Sequence, residues 1–400
     1  MRIELGPSSA DIMPLGPASG RLYKLIRQNI LDGRWPAGTR LPPARSLAKD
    51  FDVSRDTLRR ATAQLAAAGL IEVRSRSGVY IKSQTRRAIE HRRAAASQVC
   101  VGTGLHHVAI EAEAQCWTNQ ILASAGATLA SDRMDMLVLS PMSTESQTAR
   151  EFFARLDRHR GQIAGVLLLQ PFMYHDLRPG LQERGLRCVI VNRPNLSARY
   201  NFVTADHLAA GRALGSCLAM MGLRRIGLLG FQSPKWSSSV EFWTGLIEGE
   251  IRTLGRQEFV YQSIPCTSSL EADGYSTVLS ALRAGPPPQV IVAAGDFQAL
   301  GAIRACKELG LSVPGDVAVV GTTGLDIGRF SSPQLTVLAQ PMNRIGRVAA
   351  GMLVRMQRTG QTRLPGRTLK CTLVVRQSLI IPPEVLQQLR TAEDIPVLIG

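Results

Sequence analysis

The sequence predicts an α/β protein in two parts, a small helical head ending in a β-hairpin and a two-lobed body whose parallel sheets are flanked by helices. Three observations predict it. Between Leu41 and Ile81, two short helical patterns meet across a tight turn and run into paired apolar segments around a basic tip. From Val99 onward, short apolar runs alternate with amphipathic segments, which is the pattern of strand-helix-strand units. The chain's 400 residues, 45% of them hydrophobic, are also too many for one ordinary domain.

Residues 1–18, rich in Pro, Gly and Ser without a sustained period, read as a loose tail. Ser19 can cap a first helix with Leu22, Leu25, Ile26 and Ile30 on one stripe, and the stretch from Gly33 to Gly38 breaks it. Pro42 and Pro43 then start a short helix whose apolar side is Leu47, Ala48 and Phe51. After a turn at Asp52-Val53, Ser54 is placed as the N-cap of a second helix, its hydroxyl accepting a backbone N–H that has no intrahelical partner. That helix runs from Arg55 to Leu65 and stops at Gly69, a favourable C-terminal residue. Leu58, Ala61 and Leu65 form its inner face, which leaves Arg55, Thr57 and Arg59 on the outer side of the first turns. Leu70–Val73 and Val79–Ile81 pair around the tip Arg74-Ser75-Arg76-Ser77-Gly78. Head and hairpin, residues 19–82, make a winged helix-turn-helix pattern. The DNA major groove admits one helix and shows base-edge donors and acceptors to that helix's first residues, and the planar fork of Arg matches guanine O6 and N7.

Charge points the same way. The net charge is +16, and the first 96 residues hold 18 Lys and Arg against 8 Asp and Glu, whereas the other 304 hold 29 against 23. The basic excess therefore sits where a polyanion would be met. No apolar run approaches the ~20 residues of a membrane span, and no basic start followed by an apolar core marks a secretory signal. Seven scattered cysteines with no Cys-x-x-Cys spacing suit a reducing cytoplasm. Residues 83–97 read as a polar linker, in which Arg86, Arg87, Arg92 and Arg93 can either touch phosphate or remain solvated.

In the body the strand candidates are Val99–Val101, Met136–Leu139, Gly165–Leu169, Cys188–Val191, Arg225–Leu229, Phe259–Ile264, Val290–Ala294 and Val317–Gly321. Helix candidates include Ala149–Asp157, Leu208–Met221, Trp243–Leu254, Gln298–Leu309 and Asn343–Gln357. About 300 such residues call for two lobes, with ligand expected in a cleft at the carboxyl ends of the strands. Catalytic signals are weak. Gly102-Thr103-Gly104-Leu105-His106-His107 begins like a dinucleotide loop, but its sixth position is His107 and not glycine. The adjacent pair His106-His107 diverges on any regular element and has no nearby Cys or carboxylate cluster, and Gly-x-Ser-x-Gly is absent. No metal, cofactor or enzymatic activity is expected.

The head resembles the GntR family of bacterial regulators over about its first 82 residues. The likeness lies in Leu41-Pro42 through Arg45-Ser46-Leu47-Ala48, in Val53-Ser54-Arg55-Asp56-Thr57-Leu58-Arg59-Arg60-Ala61, in Gly69-Leu70-Ile71-Glu72, and in Gly78. One departure is Pro43-Ala44, where the family more often has Ser-Glu. The resemblance implies DNA contacts from Arg45, Arg55, Thr57 and Arg59, with Gly78 bringing the wing backbone to the minor groove. Ser54, Arg60 and Arg76 complete the candidate set.

Residues 98–378 resemble the effector domain of the LacI/GalR family, itself similar to periplasmic binding proteins. The matching phrases include Val203-Thr204-Ala205-Asp206, Gly222-Leu223-Arg224-Arg225-Ile226-Gly227, Asp296-Phe297-Gln298-Ala299-Leu300-Gly301, Val313-Pro314-Gly315-Asp316-Val317 and Ser332-Pro333-Gln334-Leu335-Thr336. The resemblance implies lobe 1 at about 98–202 plus 339–365 and lobe 2 at about 203–338 plus 366–378, with residues 379–400 a C-terminal tail. It also implies a homodimer on a palindromic operator in double-stranded DNA, governed by a small-molecule effector such as a sugar, and a repressor more often than an activator.

Three departures bear on that effector. Phe242, Gly295 and Thr323 stand where sugar-binding members carry Arg, Asn and Asp, the groups that clamp sugar hydroxyls. Phe172, Phe202, Phe231, Trp236, Phe242, Trp243 and Tyr275 fall near expected strand ends and could line a more aromatic cleft or simply pack in the core. Asn192, Arg193, Asp296 and Thr323 are its polar candidates, with a helix N-cap the competing role for Asp296. Two other readings stand beside the regulator: a ligand-free dimerisation scaffold behind the same DNA-binding head, and an enzyme with a regulatory head. For a pyridoxal-phosphate enzyme, Lys235, Lys307 and Lys370 lack a recognisable Ser-x-x-Lys anchor.

Overall fold

The head's core forms where three helices turn their apolar stripes onto a hairpin. In this computed structural model α1 spans Pro17–Leu31, α2 Ala44–Asp50 and α3 Arg55–Ala67, followed by β1 Ile71–Arg74 and β2 Gly78–Ile81. The structure describes residues 17–31, 35, 38–67, 70–74, 78–82, 98–103, 112–139, 148–159, 161–169, 174–192, 201–230, 237–255, 259–392 and 395–400. It divides into two units, Met1–Ala96 and Ser97–Gly400. Leu22, Ile26 and Ile30 of α1 meet Leu47 and Ala48 of α2, Leu58, Ala61 and Leu65 of α3, and Ile71 and Ile81 of the hairpin in one buried cluster. α1 begins at Pro17, so Ser19 is a buried residue inside the helix and not its cap. The hairpin is antiparallel, with Ile71 opposite Ile81 and Arg74 opposite Gly78.

The second unit holds two sheets. The strands of the first are β3 Gln98–Thr103, β4 Asp135–Leu139, β5 Ile163–Leu169, β6 Arg187–Val191, β7 Phe202–Ala205 and, far along the chain, β13 Arg367–Leu369, in the all-parallel order β13-β7-β6-β5-β3-β4. Helices α4 Ala112–Ser131, α5 Thr148–Arg158 and α6 Tyr174–Glu183 fall between its strands. In α4, Trp117, Ile121, Ala125 and Leu129 recur every four residues and are all buried.

The second sheet runs β15-β14-β12-β11-β10-β8-β9. Its strands are β8 Arg225–Leu229, β9 Val260–Ile264, β10 Val290–Ala293, β11 Ala318–Gly321, β12 Thr336–Ala339, β14 Thr372–Val375 and β15 Val397–Ile399. Only the β12–β14 pair is antiparallel. α7 His207–Met220, α8 Ser237–Leu254, α9 Glu271–Ala284 and α10 Asp296–Glu308 accompany this sheet, while α11 Met342–Thr359 returns to pack on α4, β5, β6 and β7.

The lobe boundaries differ from the sequence reading at both crossings. Val203–Ala205 and Arg367–Leu369, both expected in lobe 2, pair with each other in the first lobe's sheet. Asn201 explains the path: its amide donates to the carbonyls of Cys188 (3.0 Å) and Thr362 (3.2 Å) and accepts from the Leu364 N–H (2.8 Å), so it delivers β13 to the edge of β7. Residues 379–400 are not a tail. Val385, Leu386 and Leu389 of α12, Pro383–Ala392, are buried, the helix packs against α7, and β15 extends the second sheet. Three connections join the lobes, at Ala205–His207, Ala339–Met342 and Leu369–Thr372. The first and third run side by side, with the Asp206 N–H donating to the Leu369 carbonyl at 2.8 Å.

Two buried titratable groups give the body a testable pH behaviour. Glu250 on α8 is fully buried, accepts from the Tyr261 hydroxyl through one oxygen, and has no partner for the other. Burial pushes its pKa from 4.5 up to about 7. A raised folded pKa gives stability that is complete below about 4.5 and is lost as pH rises toward 7. His207 is also buried with an unpartnered Nε2, and burial lowers its pKa from 6.5 to about 4. Its contribution is complete above 6.5 and is lost as pH falls toward 4. Between those limits the two slopes oppose. Glu250→Gln is expected to leave stability rising with pH, and His207→Gln to leave it falling, as read from denaturation midpoints across the interval.

Candidate nucleic-acid interface and ligand cleft

An α-helix advances about 100° per residue, so with Leu58, Ala61 and Leu65 turned inward, Asp56 lies at the pole of α3 opposite the core. Arg55 and Thr57 occupy its flanks, and Arg59 and Arg60 lie one turn on. Ser54 caps the helix as its position predicts, since its Oγ accepts the Thr57 N–H at 3.1 Å and pairs with Thr57 Oγ1 at 2.8 Å. Arg55 and Arg45 are exposed, and among the described residues neither makes an ion pair.

Arg59 and Arg60 are placed otherwise. Asp56 Oδ1 accepts from Arg59 Nη2 at 2.6 Å and Nε at 3.2 Å, and its Oδ2 lies 2.9 Å from Arg60 Nε. The hydrogen bond from Arg59, with the charge of both guanidiniums, holds this carboxyl below the usual carboxylate range. The sequence reading left Asp56 without a role, although spacings of three and four residues on a helix are the signal for such pairs.

On the wing, Gly78 has φ 110°, a left-handed value that suits glycine. A Cβ there would meet Arg40 Nε at 2.8 Å, so the Arg40 side chain lies across the wing's glycine. The Arg74 guanidinium sits 4.5 Å above the Tyr80 ring and pairs with Glu72 at 2.5 Å. Arg40, missed in the sequence, thus joins Gly78 on the hairpin surface. Arg76 lies outside the described residues.

In the body, several expected cleft residues turn out to pack elsewhere. Phe242 is buried in the core, because α7 and α8 approach so closely that a Cβ on Gly211 would lie 2.0 Å from the Phe242 carbonyl oxygen. Phe202 starts β7, away from its carboxyl end, and its ring fills the space over Gly366, where a Cβ would be 2.0 Å away. Tyr275 bridges two helices, its hydroxyl on Glu308 and its ring 4.2 Å beneath the Arg304 guanidinium. Phe172 and Arg193 lie outside the described residues, as do Phe231 and Trp236.

Asp296 does not cap its helix. Gly295 occupies the cap position, and the fully buried Asp296 carboxylate accepts backbone N–H groups from Thr323 (3.1 Å), Gly324 (2.8 Å) and Leu325 (2.6 Å). Burial raises its pKa, while those three bonds and the nearby Arg376 work against the rise. Asp296 thereby sets the loop after β11, including the buried Thr323. The Thr322 hydroxyl donates to the carbonyls of Ala293 (3.0 Å) and Ala294 (2.9 Å) and ties that loop to the end of β10.

What the strand ends do present is a set of buried amide oxygens. Asn192, after β6, has φ 57° and an Oδ1 without a hydrogen bond. Gln298 donates to the Ser268 carbonyl at 2.7 Å and Gln340 to the Thr322 carbonyl at 2.9 Å, and in each the Oε1 is unpartnered. Buried polar groups are ordinarily satisfied, yet these three oxygens each lack a donor among the described residues. Asn192 was in the sequence-derived set; Gln298 and Gln340 were not, because only the fold places them at strand ends.

Residues 18–81 match the family described as bacterial regulatory proteins, gntR family, and residues 217–379 match the periplasmic binding protein-like domain. The HTH-type transcriptional repressor CytR of Escherichia coli (strain K12) is 35% identical over 219 residues, 54% of this chain and 63% of its own length. The HTH-type transcriptional regulator MalR of Streptomyces coelicolor is 34% identical over 179 residues, 44% of this chain and 50% of its own. The chain thus spans between half and two thirds of the length of these relatives. Among solved structures, a complex of the transcriptional regulator CelR with cellobiose superposes with TM-score 0.61 at 21% identity, covering 85% of this chain and all of that one. A LacI family regulator from Enterococcus faecium with bound ribose gives TM-score 0.60 at 16% identity over 71% of this chain and 99% of that one. At these identities the likeness carries the fold. The chain thus joins a helix-turn-helix head that matches the gntR family of bacterial regulatory proteins to a body that shares its fold with those solved structures and matches the periplasmic binding protein-like domain.

Proposed function

We propose that this chain is a sequence-specific DNA-binding transcriptional regulator, a repressor, controlled by a small molecule bound between the lobes of its body. The observation that carries the proposal is the Ser54-capped helix that presents an exposed Arg55 with no ionic partner among the described residues, with Arg45 exposed on the preceding helix. A free guanidinium at the start of a reading helix can bond guanine O6 and N7 in the major groove. Arg55→Ala is expected to weaken binding to the selected operator by about 1–3 kcal/mol. Anisotropy titrations of the full chain on that duplex measure it, and unchanged affinity rejects the assignment.

The effector reading rests on the unpartnered oxygens of Asn192, Gln298 and Gln340, and the sugar complexes among proteins of this fold support a hydroxyl-rich donor molecule. Phe242, Gly295 and Thr323 favour a second reading, in which the body is a ligand-free scaffold. A thermal-shift screen of sugars, glycosides and aromatic metabolites separates the two: a saturable rise in Tm supports the effector, and no response across the panel supports the scaffold. The regulator acts in the cytoplasm as a homodimer on a palindromic site. Phe330, 85% exposed beside the short 3-10 turn Asp326–Arg329, supplies an apolar surface suited to a second copy. Among the described residues no helix is long and apolar enough to cross a membrane.

A further inference from the structure

The outward pole of α3 carries a carboxylate where a DNA-reading helix would be expected to carry a donor. Asp56 is half exposed, and Arg59, 80% exposed, is drawn back onto it together with Arg60. The three side chains form one unit with a net charge of +1, and the anion stands at its centre. A carboxylate in the major groove accepts from an exocyclic amino group, as cytosine N4 offers, and is repelled by guanine O6 and N7 and by phosphate.

We propose that Asp56 is a specificity-determining residue: it reads a cytosine amino group and, where none is offered, keeps Arg59 and Arg60 from binding the wrong duplex. Resting on the DNA-binding reading above, this assigns the two arginines a conditional role. On a cognate site the carboxylate bonds the amino group, and the Arg59 fork lies beside it for a neighbouring base. On any other sequence, freeing both guanidiniums strands an anion against a polyanion. A purely structural role would look different, because exposed ion pairs on a helix contribute little and carry no base preference.

The test uses the full-length protein. Wild type selects a motif from a randomised duplex library. Wild type, Asp56→Ala and Asp56→Asn are then titrated against the selected duplex, its single base-pair variants and an unrelated duplex, with circular dichroism confirming the fold of each variant. Wild type is expected to require cytosine at one position of each half-site, its replacement weakening binding roughly 5- to 150-fold. Asp56→Ala should lose that preference, bind the unrelated duplex several-fold more tightly and show a steeper salt dependence, since one anion has been removed from the contact face. Asp56→Asn should shift the preference toward adenine, whose N6 and N7 match an amide. If Asp56→Ala keeps every base preference, or changes affinity equally on all duplexes, the proposal fails while the DNA-binding reading stands. If wild type selects no motif, the DNA-binding reading itself fails.

Discussion

Replacing Gly215 with valine is expected to destabilise the body by about 3 kcal/mol or more. α7 and α8 cross at four glycines, two from each helix. A Cβ on Gly211 or Gly215 would lie 2.0 Å from the carbonyl oxygen of Phe242 or Leu246, and one on Gly245 or Gly249 would lie 2.1 Å from that of Leu208 or Arg212. All four obstacles are backbone, so no rotamer change relieves the clash and the helices must separate. Separation would unpack Leu214 and Leu246, both fully buried in the large core cluster. Gly351 on α11 makes the control, because a Cβ there meets nothing within 4 Å. Gly351→Ala is expected to be neutral or to stabilise by up to ~1 kcal/mol, the helix propensity difference. Denaturant midpoints from intrinsic fluorescence of the full chain, whose Trp117, Trp236 and Trp243 belong to the body, should separate the two variants clearly. A Gly215→Val midpoint equal to that of wild type would show that the crossing is not close.

Asp296→Ala should cost about 3 kcal/mol by a different route. It leaves three consecutive backbone N–H groups, those of Thr323, Gly324 and Leu325, without their acceptor, and each buried unsatisfied group costs roughly 1–3 kcal/mol before relaxation. Gly324, at φ 88° with the Ala339 Cα 2.5 Å from where its Cβ would stand, leaves the loop few alternative paths. Asp296→Asn should fall between, since an amide replaces one acceptor oxygen by a donor. Because the same loop carries Thr322, whose carbonyl holds Gln340, the alanine variant should also weaken any effector found by the screen. Calorimetric titration with that effector checks this, and intact affinity would detach the loop from the ligand site.

Most local features were readable from the sequence, the exceptions being the start of α1 before Ser19 and the Asp56 ion pairs, while distant ones were not. The cap at Ser54, the inner face Leu58-Ala61-Leu65 and the turn at Gly78 depend on neighbours a few residues away, and the structure shows each of them. The apolar runs of β5, β8, β10 and β11 likewise announce buried parallel strands. By contrast, the pairing of β7 with β13 spans about 160 residues and is directed by one asparagine side chain, a signal with no period. Val385, Leu386 and Leu389 lie in the segment read as a tail, because only the flank of α7 gives their stripe a place to dock. Phe242 and Tyr275 sit near strand ends in the sequence, and their helix pairings, not their positions, decide where the rings point. Of the three unpartnered amide oxygens only that of Asn192 was legible, because Gln298 and Gln340 acquire their surroundings from loops elsewhere in the chain.

The three crossings adjoin one another, Asp206 bonded to Leu369 and Ala339 paired with Thr372 where β12 meets β14, so a single narrow waist joins the two sheets. A waist of a few neighbouring backbone segments bends at those residues while the packed sheets on either side stay rigid. On the reading proposed above, an effector between the halves would act on that bend, and its message would travel as an angle.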